Sequence, residues 1–309
     1  MHEKSMSFLV GDNPFHGISH LSQERARARA EKKDPENAEH AAQLVKLSLQ
    51  NGANGFMFSV DETTLSILRL LRESKESENF DLYAIVPYAY EYVRLAAQTG
   101  GVSSLAKRLA QQMIFSTNLK VIASNLIGLI RVDPSAFLKT YISYEMGRIK
   151  SAVKGHARLK SVLIHEIITD MALGFNLDWF FKSYIQHMEK TGVRPGFETR
   201  NFAYLAKKFC EWEIDFSKIA IAAPFNKIGF QMNPSGIECE DMLESVSESE
   251  VIAMSILAAG YLKPADAIRY LANLQSINGV VVGVSNEHQA TETFILLRQA
   301  LELGHFAGQ

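Results

Sequence analysis

The chain has 309 residues, 47% of them hydrophobic and 21% charged, with Lys+Arg 32 against Asp+Glu 34. So high an apolar content with so small a net charge excludes a disordered polymer. The formal charge of −2 argues against a nucleic-acid surface, which carries a basic excess.

Neither Cys210 nor Cys239 stands in a CxxC or Cys/His spacing, which disfavours a disulfide framework and a structural zinc site. The opening MHEKSMSFLVGDNPF has no long apolar run behind a basic segment. The longest central apolar stretch is broken by Ser124, Asn125 and Gly128 and falls far short of the ~20 residues that span a bilayer. The expectation is a cytoplasmic protein with reduced thiols and neither nucleic-acid nor membrane partners.

Short apolar runs alternate with helical periodicity along the chain. The first run, 7–10, ends in Gly11-Asp12-Asn13-Pro14, and a charged stretch, 23–36, follows. A helix pattern with Ala41, Leu44, Val45 and Leu49 on one side stops at Asn51-Gly52. The second run, 55–60, leads to a helix carrying Leu65, Leu68 and Leu71, with Asp61 or Thr63 as its cap. The third run, 82–86, ends at Pro87, and the fourth, 161–164, at His165-Glu166. The fifth, 196–199, precedes a helix with Phe202, Leu205 and Phe209; the sixth is 218–223. The seventh, 251–256, is followed by a helix opened by Pro264. The eighth, 280–284, leads through Ser285-Asn286 into a final helix reaching Leu301.

Apolar strands alternating with helices imply a parallel sheet covered on both faces. Eight such units predict an α/β chain folded as a single (β/α)8 TIM barrel over 1–309. An open doubly wound sheet would carry GxGxxG after its first strand, and Gly11-Asp12-Asn13-Pro14 is not that motif. The long gap between the third and fourth runs reads as helices over 104–113, 119–130 and 134–154, a helical insertion at 89–158.

The segment VIAMSILAAGYLKPADAIRYLANLQSINGVVVGVSNEHQATETFILL resembles the aldo-keto reductase superfamily in its order of strand, small-residue loop, helix, strand and GVSN before a helix. SVLIHEI resembles that family's fourth strand, and NGANGFMFSVDETTLSILRLL its second strand and helix. The resemblance implies a barrel, NADPH as cofactor, and His165 as the active-site histidine. The stretches matching the family's catalytic Asp-Tyr and Lys are Phe58 to Glu62 and Ile85 to Tyr88, which hold neither that tyrosine nor that lysine. GDNPFHGISH and APFNKIGFQMNPS also resemble segments of uncharacterised barrel proteins.

Barrel function gathers at the carboxyl ends of the strands. Neighbours on a strand point to opposite faces, so only one of His165 and Glu166 can face the lumen. His165 is taken as catalytic, on the resemblance and because imidazole suits proton transfer near neutrality. Glu198 in a barrel mouth could have a raised pKa and act as acid or base. Asn13, Arg200, Asn226 and Lys227 are candidate substrate-binding residues, Arg200 through its planar fork toward carboxylate or phosphate. Gly283, Ser285 and Asn286, at a helix start, could bind a phosphate or the cofactor. His16 and His20, four apart, could hold a divalent metal.

These residues predict an enzyme acting on a small carbonyl, carboxylate or phosphorylated substrate by acid–base chemistry, as a metal-assisted lyase or isomerase. One alternative is an NADPH-dependent oxidoreductase of aldo-keto-reductase type with an altered catalytic set. Another is a non-catalytic barrel whose insertion binds a partner. A homo-oligomer is compatible with either.

Overall fold

The computed structural model describes residues 6–16, 35–74, 79–87 and 134–301. Eight parallel strands close into a barrel in the order β1-β2-β3-β4-β5-β6-β7-β8. They are β1 (Ser7–Gly11), β2 (Gly55–Ser59), β3 (Phe80–Val86), β4 (Ala157–Ile164), β5 (Arg194–Glu198), β6 (Ala220–Pro224), β7 (Glu250–Met254) and β8 (Ile277–Gly283). The ring shuts where Ser7 pairs with Gly279 and Gly11 with Gly283. The predicted (β/α)8 architecture is the observed one. Each apolar run is a strand because both of its faces are covered, which removes the need for polar alternation.

Among the described residues the helices are α1 (Pro35–Gln50), α2 (Glu62–Arg72), α3 (Pro134–Val153), α4 (Glu166–Gly174), α5 (Asp178–Glu189), α6 (Phe202–Glu211), α7 (Gly236–Asp241), α8 (Pro264–Ala272) and α9 (Glu287–Leu301). The helix signals read from the sequence have clear physical counterparts. Asp61 accepts from Thr64 N while Thr64 Oγ1 accepts from Asp61 N, a reciprocal cap on α2. β6 starts at Ala220 rather than at 218, because the Asp215 side chain caps a 3-10 turn over Phe216–Lys218. Helix α3 packs beside α2 and α5 in the outer ring. The helices read at 104–113 and 119–130 lie outside the described residues.

Alternation along the strands separates two cores. Phe8, Val10, Phe56, Phe58, Leu82 and Ala84 point outward and pack with the helices. Leu9, Met57, Tyr83, Ile85, Leu163, Ala222 and Ile252 point inward and fill the lumen. The lumen is thus a packed core and not a pore. Gly196 makes room in it: a Cβ there would stand 2.6 Å from Leu163 Cγ.

A polar network closes the amino-terminal end of the lumen. Tyr83 donates to Glu250, Ser7 Oγ lies 3.0 Å from Tyr83 Oη, and Lys160 Nζ reaches Glu250 at 2.9 Å and Ser7 Oγ at 3.2 Å. Burial, aided by the charge of Glu250, pushes the Tyr83 pKa far up, so its hydroxyl stays a donor. Removing a donor from a buried acceptor costs about 1–3 kcal/mol. Tyr83→Phe is expected to lower unfolding free energy by that amount in urea titration, with the barrel's circular dichroism preserved.

Candidate active site

The carboxyl ends of β4 and β5 carry the first half of the site. His165 follows Ser161 and Leu163 by steps of two, so it continues their lumen-facing row. Glu198 likewise continues Gly196, whose backbone faces Leu163. His165 caps α4, and its Nδ1 accepts from Ile167 N at 3.2 Å. A backbone N–H can only donate, so Nδ1 carries no proton in this arrangement and the remaining proton sits on Nε2. Burial lowers the His165 pKa and Arg200 adds to that, against the charges of Glu166 and Asp12. The ring is therefore neutral at pH 7, with Nε2–H as a donor.

Glu198 accepts from Glu166 N at 3.2 Å through Oε2. Burial first, then the charge of Glu166, then that of Asp12, push its pKa up to about 8; the Glu166 N–H and Arg200 oppose the rise. Three carboxylates gathered at one end of the lumen cannot all ionise cheaply. Glu198 holds the proton because it is the one without a cation at ion-pair distance among the described residues.

Arg200 turns to Glu166 instead, Nε to Oε2 at 2.6 Å. Its position is set by Asp170 on α4. That carboxylate accepts from Thr199 Oγ1, from Arg200 N at 3.3 Å and from Asn201 Nδ2 at 2.9 Å. Burial raises the Asp170 pKa in spite of these donors. Asp170 was not among the sequence candidates. The signal for it was its place one helical turn after Glu166, with Thr199 and Asn201 flanking Arg200.

The second half of the site lies on β1 and β2. Asp12 is buried, and its Oδ2 accepts from Ser59 N at 2.7 Å, tying the two strand ends together. The same oxygen lies 3.2 Å from His16 Nε2, while His16 Nδ1 lies 3.5 Å from Asp61 Oδ2. Burial pulls the His16 pKa down, but the Asp12 hydrogen bond and the charges of Asp12 and Asp61 outweigh it, and the net shift is upward. The 3-10 turn Asn13–His16 is seated over β8. A Cβ at Gly283 would stand 2.8 Å from both Pro14 Cγ and Cδ, so only glycine lets this turn close down on the barrel.

The other sequence candidates are placed as follows. Asn13 is exposed beside Asp12. Asn226 is buried and spans its own loop, Nδ2 to Phe230 O at 2.8 Å and Oδ1 from Phe230 N at 2.7 Å. Lys227 is exposed in that loop. Ser285 N donates to Gln289 Oε1 at 2.8 Å and Gln289 N to Asn286 Oδ1 at 3.0 Å, so these residues cap α9 as Gly283 ends β8.

The metal expectation is not supported. Both ring nitrogens of His16 face carboxylates, which favours the doubly protonated imidazolium over a ligand with a lone pair to offer. No group of three or more His, Cys, Asp or Glu among the described residues could hold a metal ion. His20 lies outside the described residues. Among the described residues, no helix is long and apolar enough to cross a membrane.

No family model matches the chain, and no curated protein matches it in sequence. Two solved structures from Pseudomonas aeruginosa, both named putative aldo-keto reductases, share its fold. One superposes with a TM-score of 0.55 at 12% identity, covering 95% of this chain and 90% of its own. The other has a TM-score of 0.56 at 12% identity, with the same coverage. The chain is thus a barrel of distant aldo-keto-reductase-like fold. The expectation of a lyase or isomerase is corrected by these neighbours, which favour the oxidoreductase alternative.

The Asp12–His16–Asp61 arrangement has a defined pH dependence. A His pKa raised by folding stabilises fully below its unfolded value near 6.5, and that stability is lost as pH rises through the folded pKa. Asp12→Asn keeps an oxygen for Ser59 N but removes the charge. It is expected to lower the His16 pKa in an NMR titration and to cut stability more at pH 6 than at pH 9.

Proposed function

We propose that this chain is an NADPH-dependent reductase of small carbonyl compounds, built on an aldo-keto-reductase-like barrel with a different proton donor. The observation that carries the reading is the neutral His165, whose Nδ1 is occupied by Ile167 N–H and whose Nε2–H is left to meet a carbonyl oxygen in the mouth. The fold neighbours lend support, since both are named putative aldo-keto reductases.

NADPH, when bound, supplies a hydride equivalent to the carbonyl carbon. The fit of the chain to that cofactor rests on the start of the 15-residue α9, where Ser285 N and Gln289 N are taken by the cap and the backbone N–H groups of Glu287 and His288, with the helix dipole, favour phosphate.

The chain's own residues do the rest. His165 Nε2–H polarises and orients the carbonyl oxygen without competing for its proton. Glu198, pushed up to about 8, is protonated at neutral pH and gives its proton to the developing alkoxide oxygen. It ends the turnover as a carboxylate, and solvent restores the proton. The position that matches the family's lysine is apolar here, at Ile85 to Pro87, so no ammonium is available there to tune a tyrosine. A carboxylic acid made weak by burial and by neighbouring negative charge takes that part.

NADPH binding followed by fluorescence is expected to saturate, and a titration flat to millimolar concentration would overturn the reading. Against a panel of aldehydes, kcat/KM should hold on the acid side and fall as pH rises past about 8, as Glu198 deprotonates. Glu198→Gln is expected to lower kcat by about 10²-fold or more and to abolish that fall.

A further inference from the structure

We infer that Asp170 is a positioning residue of the site: it bends the chain directly after Glu198, so that Arg200 pairs with Glu166 and not with Glu198. The catalytic consequence rests on the reductase reading, in which Glu198 is the proton donor.

Spacing alone offers a different pairing. Residues two apart on a strand share a face and stand roughly 6–7 Å from each other. If β5 ran on past Glu198, Arg200 would lie on the same face, within reach of the Glu198 carboxylate. An arginine there would hold Glu198 ionised. Instead β5 ends at Glu198. Thr199 N still donates to Ala222 O of β6 at 3.0 Å, and the chain bends at Arg200.

Asp170 holds that bend through three consecutive residues. Its Oδ1 accepts from Thr199 Oγ1, and its Oδ2 accepts from Arg200 N at 3.3 Å and from Asn201 Nδ2 at 2.9 Å. Thr199 Oγ1 accepts in turn from Asn201 N at 2.9 Å. From the other side, Asn233 N in the loop after β6 donates to Arg200 O at 3.1 Å. Asp170 lies one helical turn after Glu166 on α4. The helix that bends the chain therefore also carries the acceptor for the turned guanidinium, Nε to Oε2 at 2.6 Å. Glu166 N meanwhile donates to Glu198 Oε2 at 3.2 Å. The charges acting on Glu198 are those of Glu166, Asp12 and Arg200. His165 stands one step past the Ile164–Phe197 pair on β4, and β6 sets the uncharged Ala222 beside Glu198. Arg200 is the cation of this set, so where its guanidinium is held decides whether Glu198 keeps a proton to give.

The test is an NMR titration of isotope-labelled glutamate carboxyls, with the Glu198 signal assigned by its loss in Glu198→Gln. The unaltered protein should show a Glu198 midpoint of about 8. Asp170→Ala, which removes the acceptor for all three residues, is expected to lower that midpoint by about one pH unit or more as Arg200 reaches Glu198. The same change made in an Arg200→Gln background should leave the midpoint where Arg200→Gln alone puts it. A midpoint unmoved by Asp170→Ala, or a fall of equal size with and without Arg200, overturns the inference. If Asp170→Ala does not fold, Thr199→Val with Asn201→Ala, which removes two of the three donors, is read against Arg200→Gln in the same way. In turnover, the fall of kcat/KM at high pH should move to lower pH together with the midpoint. If the unaltered protein consumes no NADPH, the reductase reading fails, and the carboxyl titration still decides the role of Asp170.

Discussion

The closure of the sheet between β1 and β8 is the constraint on which the rest of the molecule depends. Five residues of β1 pair in register with β8, from Ser7 against Gly279 to Gly11 against Gly283. The absence of a side chain at Gly283 lets Pro14 settle onto the strand end. That contact aims the Asn13–His16 turn across the mouth. Asp12 then reaches Ser59 N on β2, and His16 reaches Asp61 at the cap of α2. A residue with a Cβ at position 283 would lift the turn and separate this cluster from His165 and Glu198.

Charge is distributed along the barrel axis in two different ways. At the amino-terminal end, Glu250 is met by Tyr83 and Lys160, with Asp81 sharing the same lysine at 3.5 Å. This is a satisfied network that plugs the lumen, and buried polar groups persist where their partners are complete. At the carboxyl end, carboxylates outnumber their partners among the described residues, and the difference is absorbed by raised pKa values at Glu198, Asp170 and His16. Perturbed groups of that kind, held on strand ends by backbone hydrogen bonds, are what acid–base chemistry requires. His165 moves the other way, toward the neutral ring. The environments thus separate a neutral hydrogen-bond donor from a protonated carboxylic acid at the ends of two adjacent strands.

Much of this was legible in the chain. The alternation of short apolar runs with amphipathic helices specified eight βα units, because strands covered on both faces cannot afford polar positions. Local chemistry was equally readable where partners lie within one helical turn, as in the Asp61–Thr64 cap and the Pro264 start of α8. Strand period showed that only one of His165 and Glu166 could face the lumen, and the family resemblance chose His165. The metal reading of His16 and His20 finds no support at His16, which lies in a short 3-10 turn with its ring between two carboxylates from separate strand ends. The pairing of Arg200 with Glu166 was not legible, because Glu166 stands on a different βα unit.

By itself, then, the sequence determined the barrel, its strand boundaries to within a few residues, and the pool of polar side chains at the carboxyl ends. These depend on period and on neighbours in the chain. Only the tertiary structure decided which of those side chains meet: Arg200 with Glu166, His16 with Asp12 and Asp61, Asn226 with its own loop, and Glu198 with no cation among the described residues. Such pairings are settled by distances across the closed ring, between residues tens of positions apart. Protonation follows from those distances and from burial, neither of which is written in the spacing of the residues.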